Sequence, residues 1–189
     1  MWCGVIMLTL YINTCLNNVD ICLFKDASIF KHELIQNVKN GSEVIMPTIS
    51  KVIGNSNLND IIVVNGPGSF TGVRLGVTIA KTFAYTLNLP IYTINSLQVA
   101  RVSIEDDTIP VIHQNTDYYV ESDNKELMCL NSDQFNDYST HCKCIINPKT
   151  NYEKVYSFVK ENIKSINPHS VKPEYVKKIS VEKWLGIFY

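Results

Sequence analysis

Residues 61–69 constrain the fold more than any other stretch. Ile61-Ile62-Val63-Val64 is a run of β-branched apolar residues between Asp60 and Asn65, which predicts a short strand buried on both faces. Gly66-Pro67-Gly68 can prolong neither a strand nor a helix, so the chain turns there. Ser69 then offers an N-cap hydroxyl to a following helix.

That helix carries more apolar surface than one sheet needs. Phe70, Val73, Val77, Ala80, Ala84 and Leu87 make one stripe at three- and four-residue spacing. Leu75, Ile79 and Phe83 make a second, with Gly72 and Gly76 close beside it, and only Arg74, Thr78, Lys81 and Tyr85 form a polar strip. Two glycines four apart lower the helix profile, at a cost of roughly 1 kcal/mol each in helix propensity. The expectation is a helix packed on its sheet and on a second helix, one from another chain included.

A glycine-rich strand-to-helix turn can cradle phosphate with backbone N–H groups and the helix dipole. The run ends in neither Gly-Lys-Ser/Thr nor Gly-x-Gly-x-x-Gly, so on spacing alone a structural turn outweighs a phosphate cradle.

The eleven residues Gly66-Pro67-Gly68-Ser69-Phe70-Thr71-Gly72-Val73-Arg74-Leu75-Gly76 resemble the signature of the bacterial TsaB family. In that family the protein is the non-catalytic partner in making threonylcarbamoyladenosine on tRNA. The catalytic paralogue, TsaD, has a related turn and a His-x-x-x-His metal pair. The histidines here, His32, His113, His141 and His169, include no such pair.

Composition narrows the alternatives. A chain of 189 residues, 46% of them hydrophobic, holds one large domain or two small ones sharing a core. A formal net charge of −1 leaves no electrostatic footprint for nucleic acid, so in tRNA chemistry a partner would supply most phosphate contacts. The six cysteines, Cys3, Cys15, Cys22, Cys129, Cys142 and Cys144, form no Cys-x-x-Cys. His141-Cys142-x-Cys144 has only Cys129 as a further thiol nearby, so buried cysteines in a reducing cytoplasm outweigh a zinc site. Trp2 to Ile12 is too short to span a membrane and lacks a basic n-region, which leaves Met1 or Met7 as the start.

Taken in order, Leu8 to Asn13, Val19 to Phe24 and Ser28 to Gln36 are predicted strands of a meander. Ser42 to Ile53 is a predicted helix capped by Ser42, with Ile45, Ile49 and Val52 as its stripe and Pro47 either in the first turn or at a bend. After the central strand and helix come a strand at Pro90 to Ile94 and a short helix at Ser96 to Ser103. Four strands of a smaller lobe follow, at Ile109 to Gln114, Tyr118 to Glu121, Glu126 to Leu130 and Cys142 to Ile146. An amphipathic helix at Asn151 to Lys164 and a proline-marked run, Asn167 to Lys177, complete the pattern, and that run resembles the ending of TsaB proteins.

The pattern supports an α/β class. The resemblance implies more: a ribonuclease H-like or actin-like ATPase fold (ASKHA) in two lobes, residues 1–100 carrying the motif and residues 101–189 forming a reduced second lobe with a terminal helix. It also implies a scaffold without a catalytic or metal site. Such a scaffold forms a heterodimer with a TsaD-like catalytic subunit and meets a TsaE-like ATPase through the complex. The complex uses ATP, threonine and bicarbonate, and the scaffold reaches tRNA indirectly. The partner-helix interface is expected at Gly72, Leu75, Gly76, Ile79, Phe83, Ile45, Ile49 and Val52, and the motif turn at Gly66 to Thr71.

Three departures stand against the family pattern. Asn13-Thr14 occupies the place of an Asp-Thr pair, and an amide lacks the charge that a hard divalent cation prefers, so this reads as a degenerate nucleotide site. Gly41 stands where a histidine is usual, and His113-Gln114-Asn115 replaces an Asp-Ala-Arg stretch. Two other functions stay open: a degenerate actin-like nucleotide-binding protein or phosphotransferase, and a structural homodimer through the same helices.

Overall fold

The computed structural model describes residues 6–122 and 124–176. Trp2, Cys3 and Lys177 lie outside them. Two sheets carry the architecture. The first has the order β3-β2-β1-β4-β5, built from β1 (Leu8–Asn13), β2 (Val19–Lys25), β3 (Ser28–Ile35), β4 (Asp60–Val64) and β5 (Ile91–Ile94). The meander β1-β2-β3 is antiparallel, whereas β4 and β5 join β1 in parallel through helical crossovers. The second sheet has the order β8-β7-β6-β9, from β6 (Ile109–Gln114), β7 (Asp117–Glu121), β8 (Leu127–Leu130) and β9 (Cys144–Ile146).

The helices are α1 (Gly41–Ile53), α2 (Phe70–Thr86), α3 (Ser96–Ser103), α4 (Ser132–His141) and α5 (Tyr152–Asn162). β4 is buried at every position, as a central parallel strand covered on both faces should be. With β1, β2 and β5, and with Ile45, Ile49 and Val52 of α1 and Val73, Val77, Ala80 and Ala84 of α2, it forms one continuous core.

α1 starts a residue earlier than the sequence predicts. Asn40 holds the cap position without a side-chain cap bond, so Ser42 does not cap the helix. Pro47 sits inside α1 beyond the first turn. It faces solvent, where the carbonyl it leaves without a helical donor can take water.

α4 has no counterpart in the sequence reading. Phe135 is its one buried residue, so hydrophobic periodicity is nearly silent there. The Asn131/Gln134 capping box is the signal that marks it.

A division at residue 100 does not follow the packing. Val155 and Val159 of α5 and Val171 beyond it are buried in the first sheet's core. The terminal helix therefore belongs to the first lobe, and the second lobe is an insertion between α3 and α5. α3 serves both lobes, with Val99 in the large core and Leu97 and Ala100 in a small cluster with Ile112 and Tyr119.

Candidate functional site

The motif turn is tied on every side. The Ser69 hydroxyl accepts from the Gly72 N–H at 3.3 Å, the cap its position predicts. The Ser69 N–H donates to the Cys15 carbonyl at 2.6 Å, and the Gly66 carbonyl accepts from the Ser96 N–H at 2.7 Å. Ser96 Oγ donates to the Pro67 carbonyl at 2.5 Å. Gly66 (φ 116°) and Gly68 (φ 157°) adopt backbone angles that side chains disfavour. A Cβ at Gly66 would press on the Glu174 carbonyl oxygen, and one at Gly68 on that of Cys15. Carbonyl oxygens face this turn, and they repel the anion that a phosphate cradle attracts.

Gly72 and Gly76 do allow a close approach, but from within. A Cβ on Gly72 would collide with the Thr14 carbonyl oxygen, and one on Gly76 with the Thr14 hydroxyl. Thr14 Oγ1 donates to the Gly72 carbonyl at 2.6 Å. The two glycines admit the end of β1 rather than a partner helix. Ile45, Ile49 and Val52 likewise face inward, at 0–1% exposure, because the stripe of α1 covers the chain's own sheet. Of the expected interface, Leu75, Ile79 and Phe83 remain half-buried on the flank of α2.

Asn13 and Thr14 are also occupied locally. Asn13 Oδ1 accepts from the Cys15 N–H at 3.1 Å, an Asx-type turn, while its amide donates to the Tyr11 hydroxyl at 3.3 Å. Burial pushes the Cys15 thiol up to about 12. Among the described residues no group of three His, Cys, Asp or Glu side chains is placed to hold a metal ion.

Between the lobes lies a cleft of about 1050 Å³ that the sequence does not announce. Asn13, Asp20, His32, Ser96 and Tyr152 are on its walls. Asp20 of β2 accepts from the Tyr152 hydroxyl at 3.0 Å on both carboxylate oxygens, and lies 2.9 Å from His32 Nε2. The His32 and Tyr152 rings are 4.5 Å apart. Burial, then the nearby Asp20 charge, hold the Tyr152 phenol well above its ordinary value. Asp20 and His32 share a hairpin that the sequence predicts; Tyr152 arrives from 132 residues away, and no local signal links it to them.

A second cluster joins the two segments that resemble the family. Arg74 stacks its guanidinium 3.7 Å above the centre of the Phe70 ring and donates from Nε to the Tyr175 hydroxyl at 2.6 Å. Lys81 Nζ donates to the carbonyls of His169 and Val171. Residues 166–176 thus form a strap along α2 and over the turn.

His113 stacks on Tyr118 at 4.3 Å, which places it in a ring pair. Cys15 and Cys22 are buried, but Cys129, Cys142 and Cys144 are only half-buried. The latter three therefore depart from the expectation of buried thiols.

Comparison with known proteins bears on the family and the fold. The family model described as TsaD, tRNA N6-adenosine threonylcarbamoyltransferase, matches residues 35–131. The tRNA threonylcarbamoyladenosine biosynthesis protein TsaB of Bacillus subtilis is 35% identical over 97 residues, which is 49% of this chain and 42% of that protein. Its namesake from Buchnera aphidicola of Schizaphis graminum is 31% identical over 96 residues, 48% of this chain and 45% of that one. The match thus spans less than half the length of either relative. A Pseudomonas aeruginosa structure described as similar to peptidase YeaZ superposes with a TM-score of 0.71 at 12% identity, over 90% of this chain and all of that one. YeaZ from the same organism gives 0.68 at 12%, over 89% and 99%. At such identity the likeness is one of fold. Among the described residues no helix is long and apolar enough to cross a membrane.

Proposed function

Since the chain belongs to the TsaD family of tRNA N6-adenosine threonylcarbamoyltransferases, on its TsaB side, we propose that it is a non-catalytic scaffold in tRNA threonylcarbamoyladenosine synthesis. It pairs with a TsaD-like subunit, which carries out the transfer with ATP, threonine and bicarbonate as inputs to the complex. A TsaE-like ATPase joins through that complex.

One observation carries the reading. The motif and the strand it meets are intact as a packed unit, yet the place of the acidic residue is held by Asn13, whose amide nitrogen and oxygen are both spent on neighbours. A framework is kept while its charged metal-holding group is absent. A peptidase reading, which the description of one structural neighbour mentions, finds no nucleophile–base pair at the turn among the described residues. With a net charge of −1, the chain leaves the tRNA phosphates to its partner.

The partner face is the flank of α2 with Leu75, Ile79 and Phe83. Ile79→Glu places a carboxylate where the heteromer would desolvate it, a penalty larger than the lost contact. Ile79 is only half-buried in the monomer. The expected outcome is loss of co-elution with the TsaD-like protein of the same cell, with unchanged circular dichroism. Co-elution that survives the substitution moves the interface elsewhere.

The second reading, a degenerate nucleotide-binding protein, draws on the inter-lobe cleft, whose volume suits a small ligand. Calorimetric titration of the isolated chain with ATP decides it, and heat of binding lost on Asp20→Asn would favour it over the scaffold.

A further inference from the structure

The second lobe holds three described cysteines, and its sheet sorts them. Cys129 of β8 packs with Leu97, Ala100, Ile112 and Tyr119, whereas Cys144 of β9 packs with Val111, Val120 and Phe135. Neighbouring residues of a strand point to opposite faces, so Ile112 and Val111, like Tyr119 and Val120, put these two thiols on opposite sides. Cys142 joins Cys144: the two sulfurs are 3.5 Å apart, and both residues are half-buried. Among the described residues no third His, Cys, Asp or Glu makes a metal site with them. The pair is left to thiol chemistry.

The approach of the sulfurs is imposed from both sides. α4 is seated by Phe135, whose ring stacks on Tyr118 with centroids 4.1 Å apart. Its C-cap is Cys142, in extended backbone at φ −150° and ψ 152°. β9 is fixed by β6, with Cys144 opposite Ile109 and the Lys143 carbonyl accepting from the Ile109 N–H at 2.8 Å. Alternate residues of an extended chain face the same way, which turns Lys143 out to Asp106 and leaves the thiols together. Cys142 Sγ donates to the Tyr138 carbonyl at 3.3 Å, one of the last-turn acceptors that α4 cannot satisfy itself. Two steps of extended chain span about 6.6 Å, near the upper limit of about 6.8 Å for bridged cysteines. A bond there closes and is readily reopened.

We infer that Cys142 and Cys144 form a reversible redox pair, oxidised to a disulfide by a low-molecular-weight disulfide, and that the bond ties the end of α4 to β9. Burial, then the hydrogen bond and charge of Cys142, push the Cys144 thiol up to about 11, so Cys142 attacks first. Its thiolate bonds to one sulfur of the oxidant and expels the other half as a thiolate. The Cys144 sulfur gives up its proton, attacks the Cys142 sulfur and expels the second half. Two protein thiols are thereby oxidised, one disulfide is reduced to two small thiols, and the two protons end on those. Closure also exchanges the hydrogen bond to Tyr138 for a covalent link. The pair works in this way whether or not the chain is a scaffold.

The test starts from the reduced full chain and uses glutathione disulfide as the oxidant, followed by alkylation of the remaining thiols. Chymotrypsin cuts after Tyr138 and Tyr152, which isolates residues 139–152 with these two cysteines alone. That peptide should escape alkylation and be two hydrogens lighter, and dithiothreitol should reverse both changes. Hydrogen exchange in α4 and β9 should slow on the order of tenfold in the oxidised chain, because the link constrains the opened lobe. Cys144→Ser should hold glutathione on Cys142 as a mixed disulfide, with exchange as in the reduced chain. Cys129→Ser should form the bond as the parent chain does, and circular dichroism reports that each variant is folded. Full alkylation of both thiols after oxidation overturns the inference. So does a bond from either thiol to Cys129 or to another chain, or a closed disulfide that leaves exchange unchanged.

Discussion

The two lobes are held together in different ways. Around the first sheet, 26 buried hydrophobic residues among those described, from four of its strands, the helices α1, α2, α3 and α5, the strap and the turn after β1, form a single core. Around the second, burial divides into clusters of four and three on opposite sides of a four-stranded sheet. Such small clusters shield little backbone, and a lobe of this kind opens at low free-energy cost unless a neighbour braces it. The brace here is α3, shared by both lobes. The first lobe thus defines the fold, while the second depends on what it leans against.

The largest test of that contrast compares one deletion in each lobe. Ile62→Ala removes a fully buried side chain from the centre of β4 and should cost about 4 kcal/mol. Val120→Ala, also fully buried but in a three-residue cluster, should cost about 2 kcal/mol. Chemical denaturation monitored by tyrosine fluorescence measures both. Equal losses would mean that the second lobe is as tightly bound into the cooperative unit as the first.

A smaller effect is expected where the first lobe closes on itself. Gly72→Ala drives a methyl group onto the Thr14 carbonyl, so β1 and α2 must separate, at about 1–3 kcal/mol. A neutral result in the same denaturation series would show that the contact yields freely.

The smallest effect belongs to the strap. Burial raises the Glu174 carboxyl above its ordinary 4.5. A carboxyl raised in the folded state favours folding while protonated, and that contribution is lost as pH rises through the folded value. Strap docking should therefore weaken from about pH 4.5 upward, and Glu174→Gln should flatten the trend. Hydrogen exchange of residues 166–176 against pH reads it, and an unchanged slope in the variant rules out Glu174 as its source.

What can be read from the sequence follows burial and locality. β1 and α3 match their predicted bounds, and β4 and α2 lie within a few residues, since a continuous apolar run and a full-length stripe leave few alternatives. α4 escapes because one buried phenylalanine makes no period. The site is less legible for a related reason. The surplus apolar surface of α2 is plain in the sequence, but a stripe does not say whether it meets its own chain or another. Gly72 and Gly76 resemble a helix-packing pair and in fact accommodate Thr14, whose hydroxyl reaches Gly72 across 58 residues. The contacts of Tyr152 with Asp20 and of Tyr175 with Arg74 span 132 and 101 residues, distances over which spacing carries no information.

The insertion of one lobe within the other sets an order of events during synthesis. Val155, Val159 and Val171 complete the large core, yet they leave the ribosome after every strand of the second sheet. The second sheet has its hairpins β6-β7 and β7-β8 available as soon as residue 130 emerges. The more stable half of the molecule is therefore the later one to close. Until then the meander and β4 wait with one face bare, and long-range closure of this kind is slow and exposes apolar surface to other chains.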